Sequence, residues 1–156
     1  MIKKKIAVFL TMIVVSLLIA VPVVAKPYND LWLGGNISNS QYKNLKYLKK
    51  HHAFDGVIKK GGNFRPGKTF TGKQIHKIFV NLFGKKNVPK IKADKKRWNR
   101  PYRSKDLVKK IEAVSKKMGK PIRWFSRGCN LEVLRRDVCD FLVYFCAMRK
   151  AFRPIK

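Results

Sequence analysis

The chain has 156 residues, with 37 Lys and Arg against 8 Asp and Glu, for a formal charge of +29. At 46% hydrophobic and 12% aromatic it is too apolar to be a disordered cationic tail, and its length suits one small domain or two half-sized units sharing a core. The charge calls for an anionic partner. No paired carboxylate site, Ser-His-Asp order or Cys-x-x-Cys spacing points to catalysis, a metal or a cofactor.

Residues 1–25 read as a secretory signal. Lys3, Lys4 and Lys5 form a basic start, an apolar run follows to Ala20, Pro22 breaks it, and Val23-Val24-Ala25 offers small residues for cleavage. An uncleaved membrane anchor is the alternative, and either one places the remainder outside the cell membrane. Removing the segment takes away three lysines and no acid, which leaves +26 over 131 residues. Outside a bacterial cell the anionic partners are wall polymers, lipid surfaces and stray nucleic acid.

Residues 26–40 predict an irregular lead-in, with Trp32 and Leu33 docking on the body. Ser40 is placed to cap a helix from Gln41 to about Ala53, with Tyr42, Leu45 and Leu48 on one face and Lys43, Lys46, Lys49 and Lys50 in water. Residues 56–84, GVIKKGGNFRPGKTFTGKQIHKIFVNLFG, then form the most informative stretch. Gly61-Gly62 and Pro66-Gly67 mark tight turns. Thr71 and Gln74 make a capping box, Ile75, Ile78, Phe79, Leu82 and Phe83 give one apolar helix face, and Gly84 ends the run.

Residues 85–103 contain Pro89, Pro101 and a single acid, Asp94, among many cations, which predicts a basic linker or exposed strip. Ser104 is expected to cap a second helix in which Asp106 complements the dipole and Leu107, Val108, Ile111 and Val114 face inward. A long helix is expected over Asn130–Met148, followed by a basic tail at 149–156. Sliding the chain by 63 residues places Leu45 on Val108, Leu48 on Ile111, Gly56 on Gly119, Ile75 on Val138, Ile78 on Phe141, Phe79 on Leu142 and Leu82 on Phe145. The pattern predicts an all-α fold of duplicated helix–loop–helix units packed as a small helical bundle, with units at 41–84 and 104–148.

Phe64-Arg65-Pro66, Phe70-Thr71 and Gln74-Ile75 resemble the S-layer homology repeat, whose loop-to-helix junction reads G-x-F-x-P, three residues, then apolar-T-R-A-E-apolar. Gly62, Phe64, Pro66, Thr71 and Gln74 match without a gap, while Gly72 stands at the family's Arg and Gln74 at its Glu. The second unit resembles the same junction in degenerate form as Leu134-Arg135-Arg136-Asp137, supplying the Arg and the acid but not the G-x-F-x-P loop. The resemblance covers about 90 residues. It implies grooves that hold an anionic secondary cell-wall polymer or another envelope polyanion. Arg135 is then the best-matched ligand residue, its planar fork suiting a carboxylate or phosphate. Arg65, Lys68 and Lys73 flank the first junction, Arg127 and Arg136 the second, and Trp124 is a candidate to stack on a sugar. Helix N-termini with exposed amides would assist. The family builds its bundle from three repeats, so a complete one here needs a homodimer or a contribution from the lead-in and connector.

Cys139 and Cys146 lie too far apart along one helix to bridge, and Cys129 reaches one of them only if its loop folds back, so at least two buried thiols are expected, with a spare one available for pairing between chains. His51, His52, Asn63 and His76 follow the order of an HNH nuclease only faintly. The sequence therefore predicts an exported, non-catalytic binding protein of the cell wall or envelope surface. A secreted cationic protein acting on nucleic acid or anionic membranes is the alternative; no specific nucleic acid is expected.

Overall fold

The computed structural model describes residues 26–122 and 128–151, with side chains through Met148. Among them the chain is all-α: α1 (Asn39–Lys50), α2 (Gly72–Phe83), α3 (Lys92–Lys96), α4 (Ser104–Lys117) and α5 (Arg135–Ala151), with a 3-10 turn at Lys85–Asn87 and isolated bridges in place of a sheet. Helix α1 packs on α5 and α2 on α3, while Phe83 meets Phe145 with ring centroids 5.1 Å apart. No described helix is long and apolar enough to cross a membrane.

The apolar stripes read from sequence are the buried ones. Leu45 and Leu48, Ile75, Ile78 and Phe79, Leu107, Ile111 and Val114, and Val138, Leu142 and Phe145 all lie in one core. Both offset-matched glycines, Gly56 and Gly119, take positive φ (68° and 72°) after a helix, where any other residue would be strained. Gly84 caps α2 at φ 80°, donating its N–H to the Val80 carbonyl.

Helix starts differ from the expected ones. Ser38, not Ser40, caps α1: its hydroxyl accepts from Gln41 N–H while Gln41 Oε1 accepts from Ser38 N–H, a box that two intervening residues permit and that Ser40, adjacent to Gln41, cannot make. Arg103 precedes α4, and Ser104 is its first residue. Helix α5 begins at Arg135 because residues 131–134 are held extended: Ser104 N–H donates to Leu131 O and Val133 N–H to Tyr102 O. The helix runs to Ala151, into the expected tail. The lead-in buries Tyr28, Leu31 and Ile37, whereas Trp32 and Leu33 are 72% and 46% exposed and do not dock.

The largest correction concerns 85–103. It is not an exposed linker, since Asp94 and Tyr102 are fully buried. Tyr102 stands before α4 as Phe70 stands before the α2 cap and Val133 before α5, and these three junctions are tied by main-chain bonds. Tyr102 N–H donates to Phe70 O (2.9 Å), Val133 N–H to Tyr102 O (3.0 Å) and Arg135 N–H to Lys68 O (2.8 Å). Bridges Thr71–Pro101, Arg103–Glu132 and Thr69–Leu134 complete the set. The connector thus supplies a third junction between the two units. Gly72 owes its identity to this contact: a Cβ there would lie 2.7 Å from the Arg97 carbonyl oxygen, so the long side chain expected from the resemblance has no room.

Candidate functional site

The expected ligand residues fall into two groups. Where the junction before α5 meets the junction before α2, Arg135 reaches into the loop before α2, donating from Nε to Thr69 O (3.2 Å) and from Nη1 to Phe64 O (2.8 Å), with its guanidinium 4.8 Å from the Phe70 ring centroid. Burial first, and then the neighbouring Arg65 charge, lower its pKa against the opposing pull of Asp30. Arg65 holds a left-handed backbone (φ 54°), fixed by the Asp30 carboxylate, which accepts from Phe64 N–H (2.8 Å) and Arg65 N–H (2.5 Å). Phe64 and Pro66 are buried and Gly62 half-buried. Arg136 donates to Asn36 O (3.2 Å) and lies 3.9 Å from Asp137. The Asp137 carboxyl, raised in pKa mainly by burial, accepts from Gln41 Nε2 (3.3 Å). Lys68 is exposed. Trp124 and Arg127 lie outside the described residues.

Arg135 therefore latches one junction to another. Arg135→Ala is expected to cost about 1–3 kcal/mol, because two loop carbonyls lose their donors. Arg135→Lys should recover less than half of that, since an ammonium cannot span both oxygens as the planar fork does. Thermal unfolding of the three proteins decides it, and an Ala variant as stable as wild type would remove the latch.

The expectation of anion-binding helix N-termini is corrected. At α2, Gly72 N–H donates to Arg97 O and Lys73 N–H to Trp98 O (both 2.9 Å), while the Thr71 hydroxyl accepts from Gln74 N–H. At α5, Arg135 N–H and Arg136 N–H donate to Lys68 O and Pro66 O. These amides already have partners within the fold, so any anion must be held by side chains.

Three adjoining clefts surround the first junction. The widest, about 540 Å³, lies between α2 and Trp98 and is lined by Gly56, Val57, Thr71, Lys73, Gln74, His76, Lys77, Val80 and Trp98. Trp98 is also a wall of a cleft of about 310 Å³ with Lys90, Asp94 and Lys95. Val57 is also a wall of one of about 250 Å³ that includes Lys59, Asn63, Arg65 and Arg135. Lys73 thus comes into line with Arg65 and Arg135, whereas Lys68 and Arg136 line none of the three.

Sequence reasoning missed the polar cluster beneath these clefts. Lys110, with no exposed surface, pairs with the equally buried Asp94 and donates to Pro89 O (2.6 Å). The other Asp94 oxygen accepts from Tyr102 Oη (2.8 Å), and Ile91 N–H donates to Asp94 at 3.0 Å. His76 Nδ1 sits 3.1 Å from Lys110 Nζ. Burial lowers the pKa of Lys110 and His76 and raises that of Tyr102. A signal was present: Lys110 falls three residues after Leu107, on the apolar face of α4, where a lysine requires a buried counter-ion.

The histidines expected only faintly as a set have separate surroundings. His52 faces Asp55 at 3.0 Å on the surface, and His51 packs on Tyr47. Among the described residues no group of three or more His, Cys, Asp or Glu is placed to hold a metal ion. Cys139 is buried and donates to Arg135 O, Cys146 is half-buried and Cys129 exposed. No protein-family model, curated protein or solved structure matches the chain.

Proposed function

We propose that the chain binds an anionic envelope polymer non-covalently, in the manner the S-layer homology resemblance implies. The observation carrying this reading is the run of three clefts joined through Trp98 and Val57, lined by seven Lys and Arg and one acid. That acid, Asp94, is matched by Lys110, so the charged side chains left to face a ligand are cationic. A continuous strip suits a chain-like polyanion better than a single small ion, because several fixed cations engage successive charges without reordering.

The test is cosedimentation with cell-wall sacculi, before and after removal of the secondary polymer, over a salt series. Lys73→Glu/Lys77→Glu, in the strip, should weaken polymer-dependent binding at least about tenfold, as loss of one charge-assisted contact of about 1.5–3 kcal/mol implies. Lys43→Glu/Lys46→Glu, on the exposed face of α1, changes net charge equally and should have little effect. Equal losses from the two pairs would mean that diffuse charge alone does the binding.

Exposed Trp32 and Leu33 favour a second reading, adsorption to anionic membranes. Their loop is tied through its main chain, since Gly35, Asn36 and Ile37 N–H groups all donate to Trp32 O, and it presents an apolar tip. Anionic vesicles added as competitors separate the two, since the polymer reading predicts no displacement at moderate salt.

A further inference from the structure

The cleft between α2 and Trp98 contains more than positive charge. Its Thr71 and Gln74 side chains are engaged with each other's backbone in the capping box, and no carboxylate lines it. The remaining polar side chains at its wall are the indole of Trp98, the ammoniums of Lys73 and Lys77 and the ring of His76. The last is fixed from below. A lysine ammonium has three donors and no acceptor, and Lys110 directs them to Asp94, Pro89 O and His76 Nδ1. Asp94 Oδ2 also faces Nδ1, but at 3.6 Å it lies beyond hydrogen-bond reach, whereas Lys110 Nζ is at 3.1 Å; Nδ1 therefore accepts from Lys110, which places the imidazole proton on Nε2, the ring atom opposite the buried contact. The indole of Trp98 stands beside it, with ring centroids 6.1 Å apart. A flat apolar face next to a fixed N–H donor and two cations matches a sugar ring that carries an oxyanion, and about 540 Å³ lies within the usual 300–1,000 Å³ of small-molecule sites.

We propose that this cleft is a subsite for one acidic sugar unit, its ring on Trp98 and its carboxylate or phosphate held by Lys73, Lys77 and the His76 Nε2–H, with Lys110 as the positioning residue that sets the His76 tautomer. The inference rests on the polyanion reading and adds the chemistry of the repeating unit. Burial first, and then the Lys110 charge, lower the His76 pKa against the pull of Asp94, in keeping with a ring that accepts from Lys110.

Two substitutions separate donation to a ligand from a structural role. The amide of Gln reaches the place of Nε2, and that of Asn the place of Nδ1. Titration calorimetry with galacturonic acid trisaccharide, glucose 6-phosphate and neutral maltotriose should give heat with one or both acidic probes and none with maltotriose; which acid binds identifies the oxyanion. His76→Gln should stay within about threefold of wild type, and His76→Asn should lose about tenfold or more, the worth of one hydrogen bond to a charged group. Nitrogen-15 spectra of the unliganded protein should show His76 protonated at Nε2. Protonation at Nδ1, equal binding by the Gln and Asn variants, or maltotriose binding as well as the acids would each overturn the subsite. Polymer-dependent cosedimentation that still fails with Lys73→Glu/Lys77→Glu, alongside unchanged His76 variants, would overturn this inference alone. Cosedimentation indifferent to both would overturn the polyanion reading beneath it.

Discussion

Asp94→Ala is expected to destabilise the protein by about 3–5 kcal/mol, the cost of leaving a buried charge without its partner. Lys110 would keep its ammonium in a site with no exposed surface, with only Pro89 O and His76 Nδ1 as acceptors, while Tyr102 Oη and Ile91 N–H would both lose the carboxylate. Adding Lys110→Met should recover most of the loss, since an apolar side chain of similar length needs no counter-ion. Urea unfolding of the two single variants and the double measures the coupling. Additive losses would show that the pair does not act as one unit. The same cluster gives stability an acid limb. The His76 pKa is lowered in the folded state, so the unfolded chain binds the extra proton. The contribution is then complete above the ordinary histidine value of about 6.5 and lost as pH falls through the lowered one. His76→Gln should flatten that limb.

Phe70→Ala should cost a comparable amount, about 3–5 kcal/mol. Its ring is fully buried, 6.1 Å from Phe54 and 6.2 Å from Phe64 between centroids, and it lies beneath the Arg135 guanidinium. The carbonyl of the same residue accepts from Tyr102 N–H, so the side chain and the main chain of one position hold two junctions at once. Relaxation into the cavity would pull on that bond, which argues for the upper end of the range. A midpoint shift in urea corresponding to less than about 1.5 kcal/mol would mean that the neighbouring rings close the gap.

Features set by near neighbours were legible. The Thr71–Gln74 box, the Gly84 cap and the four apolar stripes each depend on residues a turn or two apart, and each forms as read. The start of α1 had the same kind of signal, because Ser38-x-x-Gln41 repeats the spacing of Thr71-x-x-Gln74. The start of α5 did not: nothing local stops a helix at 131–134, and pairing with residues 69 and 102–104 keeps that segment extended. Asp94 was hidden for a related reason. In sequence it is one acid among lysines that face water, and it becomes a core residue only when Lys110, sixteen positions on, is brought over it. The candidate site was half visible. Arg65, Lys73 and Arg135 follow from the junction motif, whereas Trp98, Lys77 and His76 join them only through the fold of the connector.

The main-chain ties among Phe70, Tyr102 and Val133 bear on how such a chain is made. The last tie, from Arg135 N–H to Lys68 O, joins positions far apart in sequence and cannot form until the C-terminal helix has arrived. A polypeptide synthesised or threaded through a pore from its N-terminus would reach that point with its earlier helices still unlocked. Full locking of the three junctions therefore waits for the last of them in sequence, however the chain is delivered.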